Sequence, residues 1–435
     1  MRVLITGDTG LIGSALTRRL EISGHTVEAL PRPRGWNPET GFIDTSRLEG
    51  QDAIVHLAGE NIASGRWTAA KKDRILNSRV RGTRLLARSV ARLKHPPRVF
   101  LSASAIGFYG DRGEEVLTEQ SAAGVGFLPR VCEAWESEAR AASARDIRVA
   151  ALRIGVVLSS HGGALARMLP PFRMGAGGRL GSGRQYMSWI TLSDLCRAIE
   201  HVLGADTLSG PINAVSPRPV TNQEFTAALS AAVARPALLP LPRFAARLAL
   251  GEMADALLLA STRVIPEKLL ASGFRFEDSD IRLALAKNTP GVSTLRFRER
   301  IPQPIEKVFP FFASAANLDH ITPPWLRFET LNPDVEVKQG TLIDYRLRLR
   351  GIPMRWQSEI CDWDPPFRFV DAQRRGPYTL WVHEHRFTPE NEGTIVEDVV
   401  WYTAPGGKLI RRWLVDRDLE RIFNYRRASL AEILS

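Results

Sequence analysis

The chain has 435 residues, of which 44% are apolar and 24% charged, and a formal net charge of +11. That length exceeds what one hydrophobic core supports, so two domains are expected, and the composition excludes collagen-like, disordered and disulfide-scaffold proteins. The charge is lopsided, with 21 Lys+Arg against 20 Asp+Glu from Thr294 onward, so the basicity belongs to the part before it; without interleaved aromatic and basic residues, a helix-turn-helix or a zinc-finger spacing, nucleic acid is not an expected partner.

The N-terminus runs from Met1 straight into a strand, Val3 to Ile5, without the apolar core of a signal peptide, and a cytoplasmic protein is expected. Short apolar runs then alternate with helical stretches: Leu11 to Leu20, Val27 to Leu30, Ala53 to Ala58, a long helix from Ala69 to Leu93, Val99 to Ser102, Val131 to Ala144, and Val149 to Leu152. Strands separated by helices of this length build βαβ units with right-handed crossovers, which predicts a doubly wound parallel sheet. Past Ser216 the pattern is helix-rich, and the apolar stretch from Pro236 to Pro266 is interrupted by Arg243, Arg247, Glu252, Asp255 and Arg263, which rules it out as a membrane span. Lys287 to Thr294 reads as a linker, which puts one domain at 1–290 and a second at 295–435.

Beyond the linker the period changes to two. Ile343, Tyr345, Leu347 and Leu349 alternate with Asp344, Arg346, Arg348 and Arg350, the mark of a half-buried antiparallel strand with a solvated Arg row. Further strands are expected at Arg355 to Cys361, Phe367 to Gln373, Thr379 to Phe387 and Thr394 to Tyr402, followed by a helix from about Lys408 to Leu434. A curved antiparallel sheet gripping one long helix encloses an apolar cavity, so a hydrophobic ligand is an expected partner of this domain. The cysteines Cys132, Cys196 and Cys361 lie far apart, fit no disulfide framework and no CxxC metal site, and are expected as reduced, buried thiols.

Chemistry concentrates near the start. Thr6-Gly7-Asp8-Thr9-Gly10-Leu11-Ile12-Gly13 follows a strand and opens a helix, the position of a dinucleotide fingerprint. Gly7 makes the tight turn, Gly10 lets the backbone approach a pyrophosphate, and Gly13 lets helix pack on strand, with the phosphates at the helix N-terminus. At the end of the second strand, where NAD enzymes place an acid for the ribose hydroxyl, stands Arg32, followed by Arg34. A guanidinium there pairs with a 2′-phosphate, so NADP is the expected cofactor.

The Gly-rich turn, His56-Leu57-Ala58-Gly59, Arg79-Val80-Arg81-Gly82-Thr83, Phe100 to Ala105 and Tyr109-Gly110 resemble an extended short-chain dehydrogenase/reductase. Arg153-Ile154-Gly155-Val156-Val157-Leu158, Gly181-Ser182-Gly183-Arg184-Gln185, Ser188-Trp189-Ile190 and Gly251-Glu252-Met253-Ala254 bring it closer to the atypical nucleoside-diphosphate-sugar epimerase-like subgroup, over about residues 1–286. The resemblance implies a Rossmann fold and cofactor contacts at Thr6, Gly7, Thr9, Gly10, Leu11, Ile12, Gly13, Arg32, Leu57, Ala58, Gly59, Arg79 and Val157. It also implies a small carbonyl or hydroxyl substrate and oxidoreductase or epimerase chemistry. The family's catalytic set is a Tyr, a Lys four residues later and a Ser, yet none of the six tyrosines has Lys at that spacing. Anchored on Glu138, the Tyr position falls on Val131 and the Lys position on Trp135. Ser104 is the retained Ser, and Tyr109 is the nearest substitute acid. An NADP(H) sensor that has lost catalysis and a hydrophobic-ligand carrier are the competing readings.

The C-terminal part resembles the START/polyketide-cyclase-like (SRPBCC) superfamily of helix-grip proteins, on Phe297 with Ile301-Pro302, Val308-Phe309, Trp325, Trp356, Trp363 and the terminal helix. His383 and His385 share one strand face, but two His without a third ligand make a poor metal site, so no metal is expected.

Overall fold

The computed structural model describes residues 1–405 and 415–434, and the chain divides into two compact units. The first comprises Met1–Pro170, Ala176–Thr226 and Ala237–Ser279; the second comprises Asp280–Ser435 with the short segments Pro171–Gly175 and Ala227–Pro236.

In the first unit, β1 (Arg2–Thr6), α1 (Leu11–Ile22), β2 (Thr26–Ala29), β3 (Ala53–His56), α2 (Ala69–Val90), β4 (Val99–Ala105), α3 (Phe127–Ala139), β5 (Arg148–Ile154), α4 (Leu192–Gly204) and β6 (Gly210–Ala214) follow the expected alternation. The six strands are parallel, in the order β6-β5-β4-β3-β1-β2. Both faces of the sheet are covered. Val3, Ile5, Val55, Leu101 and Leu152 pack on Leu16 and Leu20 of α1 and Leu195, Ile199 and Val202 of α4. Leu4, Ile54 and Phe100 point the other way, onto Leu86 and Val90 of α2 and Ala139 of α3. Continuous apolar strands of this kind are what a sheet buried on both faces requires. The structure starts α3 at Phe127, earlier than the apolar spacing suggested, because Pro129 falls in the first turn, where its missing N–H costs nothing. Beyond Ala139 the helix tightens into a 3₁₀ turn, Arg140–Arg145.

The second unit contains α5 (Ile281–Asn288), β7 (Ser293–Ile301), α6 (Ile305–Phe312), β8 (Glu329–Thr330), β9 (Leu342–Leu349), β10 (Ile352–Asp364), β11 (Arg368–Arg375), β12 (Leu380–Glu390), β13 (Gly393–Thr403) and α7 (Asp416–Ile433). Its strands form one antiparallel sheet in the order β7-β13-β12-β11-β10-β9-β8. The expected alternation in β9 holds: Ile343 and Leu347 are buried, and Arg346 and Arg348 are exposed. Leu419 and Phe423 of α7 pack on Trp356, Trp381, Val400 and Tyr402, and Leu430 joins Ile301, Ile360 and Phe387. Phe297 stacks on Phe423 with ring centroids 4.6 Å apart. The start expected for the last helix, near Lys408, lies outside the described residues. No helix among the described residues is long and apolar enough to cross a membrane.

Candidate functional site

Strand order reverses between β1 and β3, and the crevice beyond the carboxyl ends of those strands is where doubly wound sheets bind ligands. The turn after β1 fills one side of it. Gly7 has φ +78°, and a Cβ there would lie 2.9 Å from the Ala58 amide nitrogen. A Cβ on Gly13 would lie only 2.2 Å from the Gly7 carbonyl oxygen, so helix and turn meet at a distance only glycine permits. Gly10, whose amide donates to the Gly7 carbonyl at 3.0 Å, stands at the N-cap of α1 with no side-chain cap and no acid in the first turn. The first N–H groups of α1 and the positive end of its dipole are therefore left to an anion, and the residues present fit a dinucleotide pyrophosphate.

Beneath the turn, Thr6 and Thr83 hold His56 from its two ring nitrogens, at 2.6 and 3.0 Å. Burial, with Arg32 and Arg79 nearby, pushes the imidazole pKa down to about 3, so it is neutral. Leu57 and Ala58 are half-buried and Gly59 is exposed. Arg79 from α2 runs beneath Gly59, where a Cβ would sit 3.4 Å from its guanidinium carbon. Its Nη1 donates to the Glu60 and Ile75 carbonyls, both at 3.1 Å, and its guanidinium lies 4.9 Å from the Trp135 ring centre. Arg32 is exposed, and its guanidinium carbon lies 4.4 Å from the centre of the Trp36 ring. Thr9 is exposed, Leu11 and Ile12 are half-buried, and Val157 packs against the α4 side of the sheet core.

Ser104, at the end of β4, is buried and donates to Glu136 Oε1 at 2.7 Å. Glu136 also takes both arms of Arg153, Nε at 2.8 Å and Nη2 at 2.9 Å. Arg153 Nη1 reaches the Tyr109 hydroxyl at 3.0 Å, and that hydroxyl lies 2.9 Å from the Thr118 carbonyl and 2.7 Å from Asn213 Oδ1. Burial raises the Tyr109 pKa, opposed by Arg153. Sequence reasoning missed Glu136. The α3 residues that meet Ser104 are Cys132 and Glu136, one turn apart, whereas Val131 packs with Trp67, Ile75 and Met253. Burial, with Glu136 beside it, pushes the Cys132 thiol up to about 12, so it is not a nucleophile at neutral pH. The signal available was the acid in Trp135-Glu136, but its facing depends on helix phase.

The second unit holds a cavity of about 180 Å³ lined by Tyr345, Trp356, Tyr378, Trp381 and Phe423, with Asp371, His383 and His385 also on its wall.

A doubly wound sheet with a glycine cradle at its switch point defines the class of Rossmann-fold dinucleotide-binding proteins. Family models for the NAD dependent epimerase/dehydratase family and for a domain of unknown function, DUF1731, match residues 3–214 and 241–287. The Epimerase family protein Mb2239 of Mycobacterium bovis is 46% identical over 298 residues, 66% of this chain and 98% of that protein. The human epimerase family protein SDR39U1, solved with NADPH, is 34% identical with a TM-score of 0.62, covering 67% of this chain and all of that one. The nucleoside-diphosphate sugar epimerase from Corynebacterium glutamicum is 37% identical with a TM-score of 0.55, over 66% of this chain and 58% of that one. The chain belongs to the NAD-dependent epimerase/dehydratase family.

Proposed function

We propose that the first unit binds NADP(H) and transfers hydride to or from the carbonyl or hydroxyl carbon of a small substrate. The observation that carries this reading is the uncapped start of α1 within its glycine cradle, joined by Arg32 where NAD enzymes carry an acid. A bound nicotinamide supplies the hydride. The α1 N–H groups, with Thr6, Thr9, Leu11 and Ile12 around them, hold the pyrophosphate. Leu57, Ala58 and Gly59 wall the crevice, Arg79 and Arg32 take anionic oxygens, with the 2′-phosphate assigned to Arg32, and Val157 borders the nicotinamide. Ser104 is the hydroxyl assigned to polarise the substrate oxygen, a role in which its one proton, donated to Glu136 in the free protein, turns to the substrate. Tyr109, the other acid expected from sequence, has its hydroxyl engaged by Arg153, Thr118 and Asn213, and in this reading it positions Arg153.

That closed network also favours a second reading, an NADP(H) sensor without turnover. Fluorescence titration of the full chain with NADPH and NADH tests the shared half. NADPH is expected to bind more tightly than NADH, and Arg32→Ala is expected to weaken NADPH by about 10-fold or more, the worth of a charge-assisted hydrogen bond, while leaving NADH unchanged. Equal binding of both dinucleotides to wild type and variant would end the assignment of Arg32. Oxidation of NADPH by any member of a carbonyl panel separates the enzyme from the sensor.

For the second unit, the START/polyketide-cyclase-like resemblance and the aromatic lining of the cavity support the holding of a hydrophobic ligand.

A further inference from the structure

The expectation of no metal rested on His383 and His385 alone. The sheet register adds two carboxylates to the same face: Asp371 on β11 lies opposite His383, and Asp398 on β13 lies opposite His385. One potential ligand atom from each of Asp371, His383 and His385 falls within 4.8 Å of the other two. Asp371 Oδ2 is 3.6 Å from His383 Nδ1 and 3.5 Å from His385 Nε2. A tetrahedral ion with ligands at about 2.1 Å sets its donors about 3.4 Å apart, and both carboxylate-to-imidazole spacings are close to that value.

The surrounding groups have the roles that a metal centre needs. Ser358 donates to Asp371 Oδ1 at 3.1 Å and is itself within 2.9 Å of the Tyr345 hydroxyl and 3.1 Å of Trp356 Nε1, which fixes the carboxylate and leaves Oδ2 free to face the imidazoles. On the far side of the rings a single carboxylate receives both remaining nitrogens: Asp398 Oδ1 is 3.3 Å from His383 Nε2 and 2.6 Å from His385 Nδ1. Metal-bound histidines nearly always have a carboxylate or carbonyl in that position. Arg426 of α7 lies 3.6 Å from Asp398 Oδ2.

We infer that Asp371, His383 and His385 bind a divalent transition-metal ion whose remaining positions open into the aromatic cavity, there to take an oxygen of an otherwise apolar ligand. Three protein ligands with open positions are the arrangement of a working metal rather than of a structural one. The two-nitrogen, one-oxygen set suits zinc or a first-row neighbour such as cobalt, and not magnesium or calcium, which take oxygen ligands. The pieces are side chains of three adjacent strands, so the sheet itself holds the geometry.

The test uses the full chain, stripped with chelator and titrated calorimetrically with Zn²⁺, with Co²⁺ added in parallel to read the visible d–d bands of a low-coordinate site. Wild type is expected to take one ion per chain. His383→Ala and Asp371→Asn are expected to lose more than about 100-fold in affinity and the cobalt bands with it, whereas Asp398→Asn keeps one ion and loses about 10- to 100-fold. Circular dichroism on each variant confirms folding, and the isosteric Asp371→Asn and Asp398→Asn decide the matter if His383→Ala does not fold. Absence of Zn²⁺ and Co²⁺ binding by wild type, or binding undiminished in Asp371→Asn, would overturn the site and leave a hydrogen-bonded polar cluster in its place.

Discussion

At the scale of single residues, one added methyl group would close the cradle after β1: a Cβ on Gly7 would meet the Ala58 amide nitrogen at 2.9 Å, and one on Gly13 the Gly7 carbonyl oxygen at 2.2 Å. Gly7, Gly10 and Gly13 declare themselves because the turn, the N-cap and the helix start are local, and the contacts a Cβ would make at Gly7 and Gly13 show why no other residue fits. Arg32 is readable for the same reason. Glu136 and Asp371 were not, since one depends on the phase of α3 and the other on which residue of β11 stands across from β12. His56 adds a measurable consequence. Its pKa is about 3 in the fold against about 6.5 in the unfolded chain, so the unfolded state binds the extra proton between those values. Stability is therefore full above about pH 6.5 and falls as pH drops toward 3, by on the order of a few kcal/mol. Urea unfolding between about pH 7 and about pH 4 should show a loss that His56→Gln removes in part; an unchanged slope in the variant would assign it to other groups.

At the scale of elements, the parallel strands and their helices were predictable from period and spacing, and the errors lie at ends. The apolar pattern of α2 runs on to Leu93 but the helix stops at Val90, whereas its start is fixed by chemistry: the Thr68 hydroxyl accepts from the Lys71 amide at 3.2 Å. Removing that N-cap with Thr68→Ala should cost about 1 kcal/mol and lower the melting temperature by a few degrees, and Thr68→Ser should restore it. An unaltered melting curve for Thr68→Ala would mean that packing alone sets the start of α2. In the second unit, alternation marked β9, and the further strands to β13 were expected in chain order, and they pair consecutively; the non-local outcome is that the sheet order β7-β13-β12-β11-β10-β9-β8 places the last strand beside the first. Asp398 comes next to His385 through the hairpin of β12 and β13, whose register is set by the tight turn between Glu390 and Gly393.

At the scale of the whole molecule, the split in charge tells most. Nearly the entire excess of Lys and Arg lies before Thr294, in the part of the chain proposed to capture an anionic dinucleotide. A field of that sign raises the encounter rate of an anion and is screened within about 10 Å at about 0.1 M salt. The NADPH association rate, measured by stopped-flow fluorescence, should therefore fall several-fold between about 0.01 M and about 0.15 M ionic strength, with dissociation changing less. A salt-independent association rate would confine the role of charge to the contacts themselves.

The β12 strand is keyed on both of its faces. His383 and His385 meet Asp371 and Asp398 on one side, while Glu384 on the other side is buried against Arg368 at 2.6 Å and Arg386 at 3.1 Å. Because side chains alternate with a period of two, a slip of one residue against β11 would exchange the faces, setting Glu384 beside Asp371 and driving Arg386 into the aromatic cavity. Hydrophobic strands in a two-sided sheet tolerate such slips when either face is equally greasy. Here the misaligned sheet strands like charges in a dry interior, so the same residues that carry the chemistry also proofread the weave of the sheet as it forms.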